Sequence, residues 1–337
     1  MTPNTLSPGP RRVVLLVTQK DDLAADLVVS ELRRIGIDFA RFNTEDFPER
    51  VALSWSDRGN FKLCLPECSP LESCNILSAW YRRPDWIHER SVLDADRYQD
   101  KGVLTFVTYE RRQFLEGAWA NSPWKWVNHP DRVILAQNKL RQLKLASEIG
   151  FSVPETLVTN NAAEARAFCG GPSVAKSVAG IGVVRSGVPY SVFTQKVDLN
   201  QISDEAVASS PAIYQRLVPR VADLRVTVVG KDVFSSSIVM EDCSDTVDWR
   251  SVSEKDLRYD VHESPSEVAH LCQRMMKSLG LEFGAFDFII TPSDEYVFLE
   301  LNPSGQWAWI EHATGQPITR AIVATLIEKD PTTMSVP

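Results

Sequence analysis

The sequence FDFII at residues 286–290, followed after a short turn by YVFLELNP at residues 296–303, has the pattern that decides the fold. Both runs are apolar enough to form buried strands, and the short turn predicts that the strands are neighbours. Because side chains alternate across a strand, Glu300 and Asn302 share one face, and Asp287 lies on the neighbouring strand. We therefore expect three oxygen-bearing side chains to converge.

An oxygen set of this kind suits magnesium, because Mg²⁺ prefers octahedral oxygen ligands and usually completes its shell with nucleotide phosphates and water. Glu300 could bridge two ions. The alternative is an exposed sheet edge that carries polar residues, but the apolar neighbours Phe298, Leu299 and Leu301 argue against a solvated edge. We expect the two acids and the amide to be metal ligands.

Two lysines are candidates for binding a triphosphate. Lys139 lies in the first half of a predicted helix, and Lys176 ends a predicted strand just before the small-residue loop SVAGIG at residues 177–182. Such a loop, with Gly180 and Gly182, can fold over phosphates and donate backbone N–H groups while an ammonium supplies a point charge. Each feature alone is weak evidence, since lysines at strand ends are usually solvated and glycines are common in hairpins.

Two arginines are candidates for stabilising a phosphoryl group during transfer. Arg225 follows Asp223 at the start of a predicted strand, which we expect beside the metal strands in an antiparallel sheet. Arg250 belongs to the sequence DWR at residues 248–250. A guanidinium donates to two oxygens at once and keeps its charge, which suits this task. A surface salt bridge is an equally good interpretation of each arginine.

The first third of the chain opens with a strand–helix–strand pattern. An apolar run at Val13–Val17 is followed by an amphipathic stretch and by a second run at Ile37–Phe42, which predicts a small parallel sheet. Further on, one unbroken helix is predicted from Asp131 to Gly150. The expected division is a flexible tail at 1–10, a first domain at 11–128, a central lobe at 129–211 and a C-terminal lobe at 212–330.

The composition is that of an enzyme-sized globular protein. The chain has 337 residues, 44% hydrophobic and 24% charged, which is enough for two or three packed lobes. A net charge of −8 argues against a protein whose main partner is nucleic acid. The six cysteines show no C-x-x-C pairs, and no apolar run approaches the ~18–20 residues that cross a bilayer. We expect a cytoplasmic protein with free thiols and no membrane partner.

Several motifs, taken in order, resemble the ATP-grasp superfamily. They are Asn138-Lys139, Val174-Ala175-Lys176 with its glycine loop, Tyr214-Gln215-Arg216-Leu217-Val218-Pro219, Asp223-Leu224-Arg225, Asp287 and Glu300-Leu301-Asn302. The resemblance covers residues 128–328. It implies an α/β protein of α+β lobes with the ATP-grasp fold, preceded by a Rossmann-like pre-ATP-grasp domain.

Longer motifs are similar to those of the graspetide (microviridin-type) peptide ligases. They are Trp80-Tyr81-Arg82-Arg83-Pro84, Gly150-Phe151-Ser152-Val153-Pro154-Glu155-Thr156, Asp223 to Gly230, and Asn302-Pro303-Ser304-Gly305-Gln306-Trp307. This resemblance implies an ATP-dependent ligase that activates Asp or Glu side chains of a ribosomal precursor peptide as acyl phosphates. Ser/Thr hydroxyls or Lys amines then attack, which closes ester or amide rings.

The resemblance also implies cofactors, a partner and residue roles. The cofactors are ATP and two Mg²⁺ ions, and the partner is a precursor peptide with a leader and an acidic core. Arg225, and with less support Arg250, act on the phosphoryl group, and Asp287, Glu300 and Asn302 hold the metal. The implied nucleotide-binding residues are Lys139, Lys176, Gly180, Gly182, Gln215, Arg216, Leu217, Val218 and Asp223.

Arg82 and Arg83 end an apolar strand of the first domain, where they could receive an acidic peptide side chain. A structural ion pair is the equal alternative. Two other functions stay open: an ATP-grasp ligase that adds an amino acid to a protein or small molecule, and a nucleotide-binding scaffold without catalysis. Neither the type of linkage, nor the number of rings, nor a general base, nor a homodimer follows from the sequence.

Overall fold

The computed structural model describes residues 12–58, 60–66, 68–84, 98–180, 183–185, 188–241 and 246–328. Its strands are β1 (Val13–Thr18), β2 (Phe39–Asn43), β3 (Ala52–Trp55), β4 (Phe61–Cys64), β5 (Leu71–Glu72), β6 (Ile76–Tyr81), β7 (Lys125–Val127), β8 (Thr156–Thr159), β9 (Ser173–Lys176), β10 (Val183–Arg185), β11 (Val188–Tyr190), β12 (Gln195–Lys196), β13 (Ala212–Arg216), β14 (Ala222–Val229), β15 (Asp232–Met240), β16 (Leu257–Val261), β17 (Phe283–Ile290) and β18 (Tyr296–Asn302). Its α-helices are α1 (Leu23–Arg34), α2 (Lys101–Ala120), α3 (Pro130–Ala136), α4 (Lys139–Ile149), α5 (Ala162–Phe168), α6 (Asp204–Ala208), α7 (Ser266–Leu279), α8 (Ala308–Thr314) and α9 (Ile318–Ile327). The predicted tail at 1–10 lies outside the described residues.

The N-terminal domain is built on a parallel sheet in the order β2-β1-β6-β7. The predicted strand–helix–strand unit is confirmed as β1, α1 and β2. α1 begins at Asp22, whose carboxylate accepts from the Ala25 backbone N–H. Because β2 and β6 flank β1 on opposite sides, the direction of winding changes between β1 and β6. The small antiparallel sheet β3-β4-β5 packs beside this domain through Phe61 and Leu63.

The central lobe contains a second sheet in the order β12-β9-β13-β8, with the β10–β11 hairpin nearby. The predicted boundary between residues 211 and 212 separates β13 from this sheet. That boundary is wrong, because β13 pairs on one side with β8 and on the other with β9. The change of sheet falls after β13, in the segment 217–221.

The C-terminal lobe is an antiparallel sheet in the order β16-β15-β14-β17-β18. β14 is buried along its whole length between β15 and β17. α7 packs on one face through Cys272, Met275 and Met276, and a group of phenylalanines including Phe286 and Phe298 fills the same core. Arg225 on β14 therefore lies beside Asp287 on β17, in an antiparallel sheet as predicted.

The single helix predicted from Asp131 to Gly150 is wrong. The structure has two helices there, α3 and α4, and the break between them has a local cause. The Asn138 side chain leaves the helix path and accepts from the Arg141 backbone N–H (3.0 Å), which starts α4. As a result, Lys139 is the first residue of α4. α4 also packs on the C-terminal sheet through Ala146 and Ile149, although the predicted division assigned it to the central lobe.

A buried amide joins the N-terminal domain to the C-terminal lobe. Asn128 donates to the backbone carbonyls of Phe283 (2.8 Å) and Pro303 (3.0 Å) and accepts from the Glu282 and Phe283 N–H groups. It thus fastens the end of the N-terminal domain to both metal strands. None of the helices in the described part of the chain is long and apolar enough to span a membrane.

Candidate active site

Asp287 and Glu300 face each other across the last two strands of the C-terminal sheet. Asp287 on β17 pairs with Glu300 on β18, and Asn302 follows two residues later. Directly opposed residues share a face of the sheet, so the two acids converge as the strand pattern predicts. Asn302 is exposed at the end of β18, where its Oδ1 accepts from the Ser304 backbone N–H (2.9 Å).

Cationic side chains surround Glu300. Its carboxylate lies 2.9 Å from Lys139 Nζ and 3.6 Å from Arg250 Nη1. Burial alone would raise the pKa of Glu300, but Lys139, Lys176 and Arg250 outweigh burial and lower it. Glu300 is therefore an anion at neutral pH, which is the form that can serve as a metal ligand.

Asp287 is held by a single arginine. Arg225 Nε lies 3.2 Å from Asp287 Oδ1. Burial raises the pKa of Asp287, and the nearby Arg225 guanidinium opposes that effect. The two acids thus differ in electrostatic setting although they are cross-strand neighbours.

These side chains fit magnesium by their chemistry. Two carboxylates and one amide lie at one sheet edge, and the described residues contain no group of three or more His, Cys or acidic side chains that could hold an ion by itself. Such a partial shell is what Mg²⁺ uses when phosphate and water supply the remaining ligands. The Lys139 ammonium would have to move away from the Glu300 carboxylate before an ion could bind there.

Lys176 and Gly180 lie beside Lys139 at the same end of a cleft of about 500 Å³. Lys176 lines the cleft at the end of β9, and burial of its ammonium among Glu300, Lys139 and Arg250 lowers its pKa to about 8. Gly180 has a positive φ of 67°, and a Cβ there would lie 3.7 Å from Lys139 Nζ. Gly182 falls outside the described residues.

The other end of the cleft is apolar and is formed by β13 and the segment that follows it. Leu217 and Val218 line this end together with Val174, Ile289 and Leu299. Such walls suit a flat heterocycle.

Gln215 lies at this apolar end. Its Nε2 donates to Thr156 Oγ1 (2.9 Å), and its buried Oε1 has no hydrogen-bond partner within the described structure. An acceptor left open at the wall of a cleft is available to a donor on a ligand.

Two residues expected to bind nucleotide line the cleft with their charges engaged by the protein. Arg216 pairs with Glu155 (3.1 Å) and stacks on Phe168. Asp223 accepts from Arg220 (2.9 Å), and burial raises its pKa to about 7. Direct contacts of either charge with a nucleotide stay predictions.

Arg225 is buried, and part of its hydrogen-bonding capacity is unused. Nη1 has no hydrogen-bond partner in the described part of the chain, and Nε forms an ion pair with Asp287 (3.2 Å) without hydrogen-bond geometry. Its guanidinium also lies 5.7 Å from the ring centre of Trp309. A buried donor without a partner is costly, so Nη1 is available to an oxygen atom of a ligand.

Arg225 lines a second cavity of about 900 Å³, which meets the first cleft at Gln137, Trp249, Arg250 and Asn302. The far wall of this cavity is formed by the carboxyl ends of β1 and β6, with Gln19 and Arg83. Ligands of open parallel sheets bind where the winding changes direction, and here that position is between β1 and β6.

Of the two arginines expected to receive an acidic side chain, the exposed Arg83 remains a candidate. The expectation that Arg82 receives a peptide side chain is corrected, because its side chain is fully buried. Its guanidinium donates to the Ser304 backbone carbonyl and to Gln306 Oε1 (2.7 Å) and lies 3.5 Å from Asp22. Arg82 therefore holds the turn after the metal strand.

Sequence reasoning missed other residues of the site. The Gln142 amide donates to the Leu301 carbonyl (2.7 Å) and accepts from the Leu301 N–H (2.9 Å), which sets Lys139, one turn earlier, against Glu300. The three-residue spacing from Lys139 was the only available signal. Asp248 and Thr194 were missed as well, because loops from different lobes bring them together.

Comparisons with known proteins agree with this geometry. The family described as the MvdD pre-ATP grasp domain matches residues 13–133. Macrocyclase MdnC from Microcystis aeruginosa MRC, solved with precursor peptide MdnA, is 26% identical with a TM-score of 0.80, and the match covers 94% of this chain and 99% of that chain. A RiPP-associated ATP-grasp ligase from Chryseobacterium gregarium, solved with ADP and a leader and core peptide, is 27% identical with a TM-score of 0.81, covering 95% of this chain and 98% of that chain. No curated protein sequence matches the chain.

A further structure decides the family. Macrocyclase MdnB from Microcystis aeruginosa MRC is 30% identical, with a TM-score of 0.75, and the match covers 94% of this chain and 99% of that chain. Identity at this level over both whole chains, with the ATP-grasp fold and a pre-ATP-grasp domain, leaves one assignment. The chain belongs to the microviridin-type ATP-grasp peptide maturases, the graspetide family that its motifs resemble.

Proposed function

We propose that this protein is an ADP-forming peptide ligase that acts in the cytoplasm. It activates Asp or Glu side chains of a ribosomal precursor peptide with ATP and links them to Ser/Thr hydroxyls or Lys amines as ω-esters or ω-amides. The single observation that carries the proposal is Arg225. Its buried guanidinium pairs with Asp287 of the cleft and lines the second cavity, and its Nη1 has no hydrogen-bond partner in the described structure.

The nucleotide cleft supplies the phosphate-binding half of the reaction. Lys139, Lys176 and the Gly180 loop lie at one end of the cleft, and apolar residues line the other. Magnesium, held by Asp287, Glu300 and Asn302, would neutralise charge on the triphosphate. The Chryseobacterium ligase, solved with ADP, supports a nucleotide in this position.

The second cavity supplies the peptide-binding half. Its described lining contains five arginines and one acidic residue, Glu116, which pairs with Arg112 (2.8 Å). A cavity of this charge attracts carboxylates in a protein that is acidic overall. The ligase and MdnC structures with bound peptides support a peptide substrate.

The chemistry then follows in two steps. A peptide carboxylate oxygen attacks the γ-phosphorus, the bond to the β-phosphate oxygen breaks, and ADP and an acyl phosphate form. Arg225 and Arg250 stabilise charge on the moving phosphoryl group. A hydroxyl or amine next attacks the acyl carbon, which releases inorganic phosphate and the proton of the nucleophile. Closure of the Gly180 loop excludes water that would hydrolyse the acyl phosphate.

The test is mass spectrometry of a precursor peptide encoded beside this chain, after incubation with the protein, ATP and magnesium. We expect the peptide to lose one water for each bond formed, with one ADP produced for each loss. A gain of an amino-acid mass would instead indicate a ligase that adds residues. An unchanged peptide without ADP formation would contradict any ligase and leave a nucleotide-binding scaffold.

A further inference from the structure

Asp248 joins the two lobes that enclose the nucleotide cleft. It lies in the C-terminal lobe between β15 and β16, and it is buried. Its Oδ2 accepts from the backbone N–H of Thr194 (3.0 Å), which lies between β11 and β12 in the central lobe. Both residues line the nucleotide cleft. A single hydrogen bond of this carboxylate thus spans the cleft.

The same carboxylate fixes the orientation of Arg250. Asp248 accepts from Arg250 Nε (2.8 Å), from Nη2 (2.8 Å) and from the Arg250 backbone N–H (3.2 Å). This fork occupies one edge of the guanidinium, and Nη1 on the other edge lies 3.6 Å from Glu300. Arg250 therefore presents one defined edge to the phosphate end of the cleft.

The electrostatics agree with a fixed anion. Burial would raise the pKa of Asp248, but the Arg250 guanidinium and the Thr194 and Arg250 N–H groups lower it. A buried carboxylate with a bidentate arginine and backbone donors is held in one geometry. A simple surface ion pair would not need the Thr194 contact, because Arg250 already balances its charge.

We propose that Asp248 is a positioning residue for phosphoryl transfer, which aligns Arg250 and, through Thr194, couples that alignment to closure of the central lobe over the nucleotide. The proposal rests on the proposed ligase function. It gives the lobe contact a chemical role, since Arg250 is held ready for the phosphate when the lobe that excludes water is in place.

A double-mutant cycle of Asp248→Asn and Arg250→Gln tests the action through Arg250. The measurement is kcat and KM for ATP, from ADP formation with a precursor peptide that the native protein cyclises. We expect Asp248→Asn to lower kcat about tenfold or more, in line with lost hydrogen bonds to a charged group. In the Arg250→Gln background the same change should have no further effect. Additive losses, or a loss confined to thermal stability, would overturn the proposal.

The link to lobe closure has its own test at Thr194. Thr194→Pro removes the backbone donor, and Thr194→Ala, which keeps it, is the reference. Compared with Thr194→Ala, the Thr194→Pro variant should release several ADP molecules for each water lost by the peptide. The reason is that a central lobe no longer held closed by Asp248 lets water reach and hydrolyse the acyl phosphate. An unchanged ratio would refute the coupling.

Two controls separate the outcomes. Asp26→Asn removes an exposed acid that pairs with Arg41 on the N-terminal domain and lines neither the cleft nor the second cavity, so it should leave both measurements unchanged. Calorimetric binding of ADP–Mg²⁺ to the native protein, together with ring closure, establishes the ligase independently. If the native protein does neither, the ligase proposal fails. If it does both and the cycle is additive, only the role of Asp248 fails.

Discussion

The nucleotide cleft and the second cavity differ in how their charges are balanced. In the cleft, the acids Asp223, Asp248, Asp287 and Glu300 are each paired with a cation of the protein. In the second cavity, the described lining contains five arginines and one glutamate. The cleft is thus neutralised from within and exchanges partners when metal and phosphate arrive, whereas the lining of the cavity contains more cations than acids, which favours an anionic ligand.

Arg82 and Arg225 both line the second cavity and can be compared directly. Both side chains are almost fully buried. Arg82 donates through both terminal nitrogens, to Ser304 and Gln306, and its Nε, 3.5 Å from Asp22, makes no hydrogen bond. In Arg225 the terminal nitrogen Nη1 has no hydrogen-bond partner in the described structure. Burial alone therefore does not identify a functional arginine; what sets Arg225 apart is an unused terminal nitrogen of its guanidinium.

The largest expected effect is that of a substitution in the cleft, which should lower catalysis strongly without changing peptide binding in the second cavity. Glu300→Gln removes the anion that two lysines and Arg250 surround, so ADP formation should fall at least about 10³-fold through loss of metal-bound charge stabilisation. Peptide affinity, measured by fluorescence anisotropy, should stay unchanged because the second cavity is intact.

The matched control for this change is Glu295→Gln, an exposed residue in the turn before β18. It should retain native activity, and thermal unfolding should show that both variants fold. Turnover within tenfold of native in Glu300→Gln would refute the metal assignment.

The two acids on β17 and β18 could be predicted from sequence, whereas Asp248 and much of the cavity could not. Strand periodicity determines the face of Asp287 and Glu300 from local residues alone, because alternation needs no knowledge of distant packing. The break before Lys139 was missed because the side chain of Asn138 overrides a helical pattern that continues on both sides.

Tertiary contacts account for the remaining errors. β13 was assigned to the wrong lobe because its sheet partners, β8 and β9, are chosen by pairing and not by its own sequence. For the same reason the adjacent residues Arg82 and Arg83 looked alike, although strand alternation turns one into the protein and the other towards solvent. Only the fold shows that Ser304 and Gln306 lie within reach of Arg82.

Changing these adjacent arginines in the same way sharpens the comparison. Arg82→Met should lower the free energy of unfolding by about 3 kcal/mol, because it removes a buried charge that the turn after β18 and Asp22 were built around. Arg83→Met should change stability by less than about 0.5 kcal/mol and raise KM for the peptide roughly tenfold.

Chemical denaturation measures the first quantity and steady-state kinetics the second. KM for ATP should not move in Arg83→Met. If Arg82→Met is as stable as the native protein and instead weakens peptide binding, the assignment of Arg82 to the scaffold is wrong.

The smallest expected effect is a pH dependence of nucleotide binding, which reports how charge is balanced within the cleft. Burial lowers the pKa of Lys176 to about 8 in the free protein, among Glu300, Lys139, Arg250 and Asp248, and a bound triphosphate must raise it. Lys176 is then charged below pH 8 in both states, but above pH 8 only the nucleotide complex holds the proton. Binding of ADP–Mg²⁺ should therefore take up a proton between pH 8 and pH 10, and Kd should rise roughly tenfold from pH 8 to pH 9.5.

Lys176→Arg isolates this contribution, since a guanidinium keeps its charge throughout that range. Its Kd should be nearly independent of pH, and calorimetry in two buffers of different ionisation enthalpy should show no proton uptake. If the native protein also binds with the same Kd at pH 7 and pH 9.5, then Lys176 is already fully charged without nucleotide. In that case the acids of the cleft supply more compensation than the pairing of Glu300 with Lys139 indicates, and the contrast with the second cavity is larger than we infer.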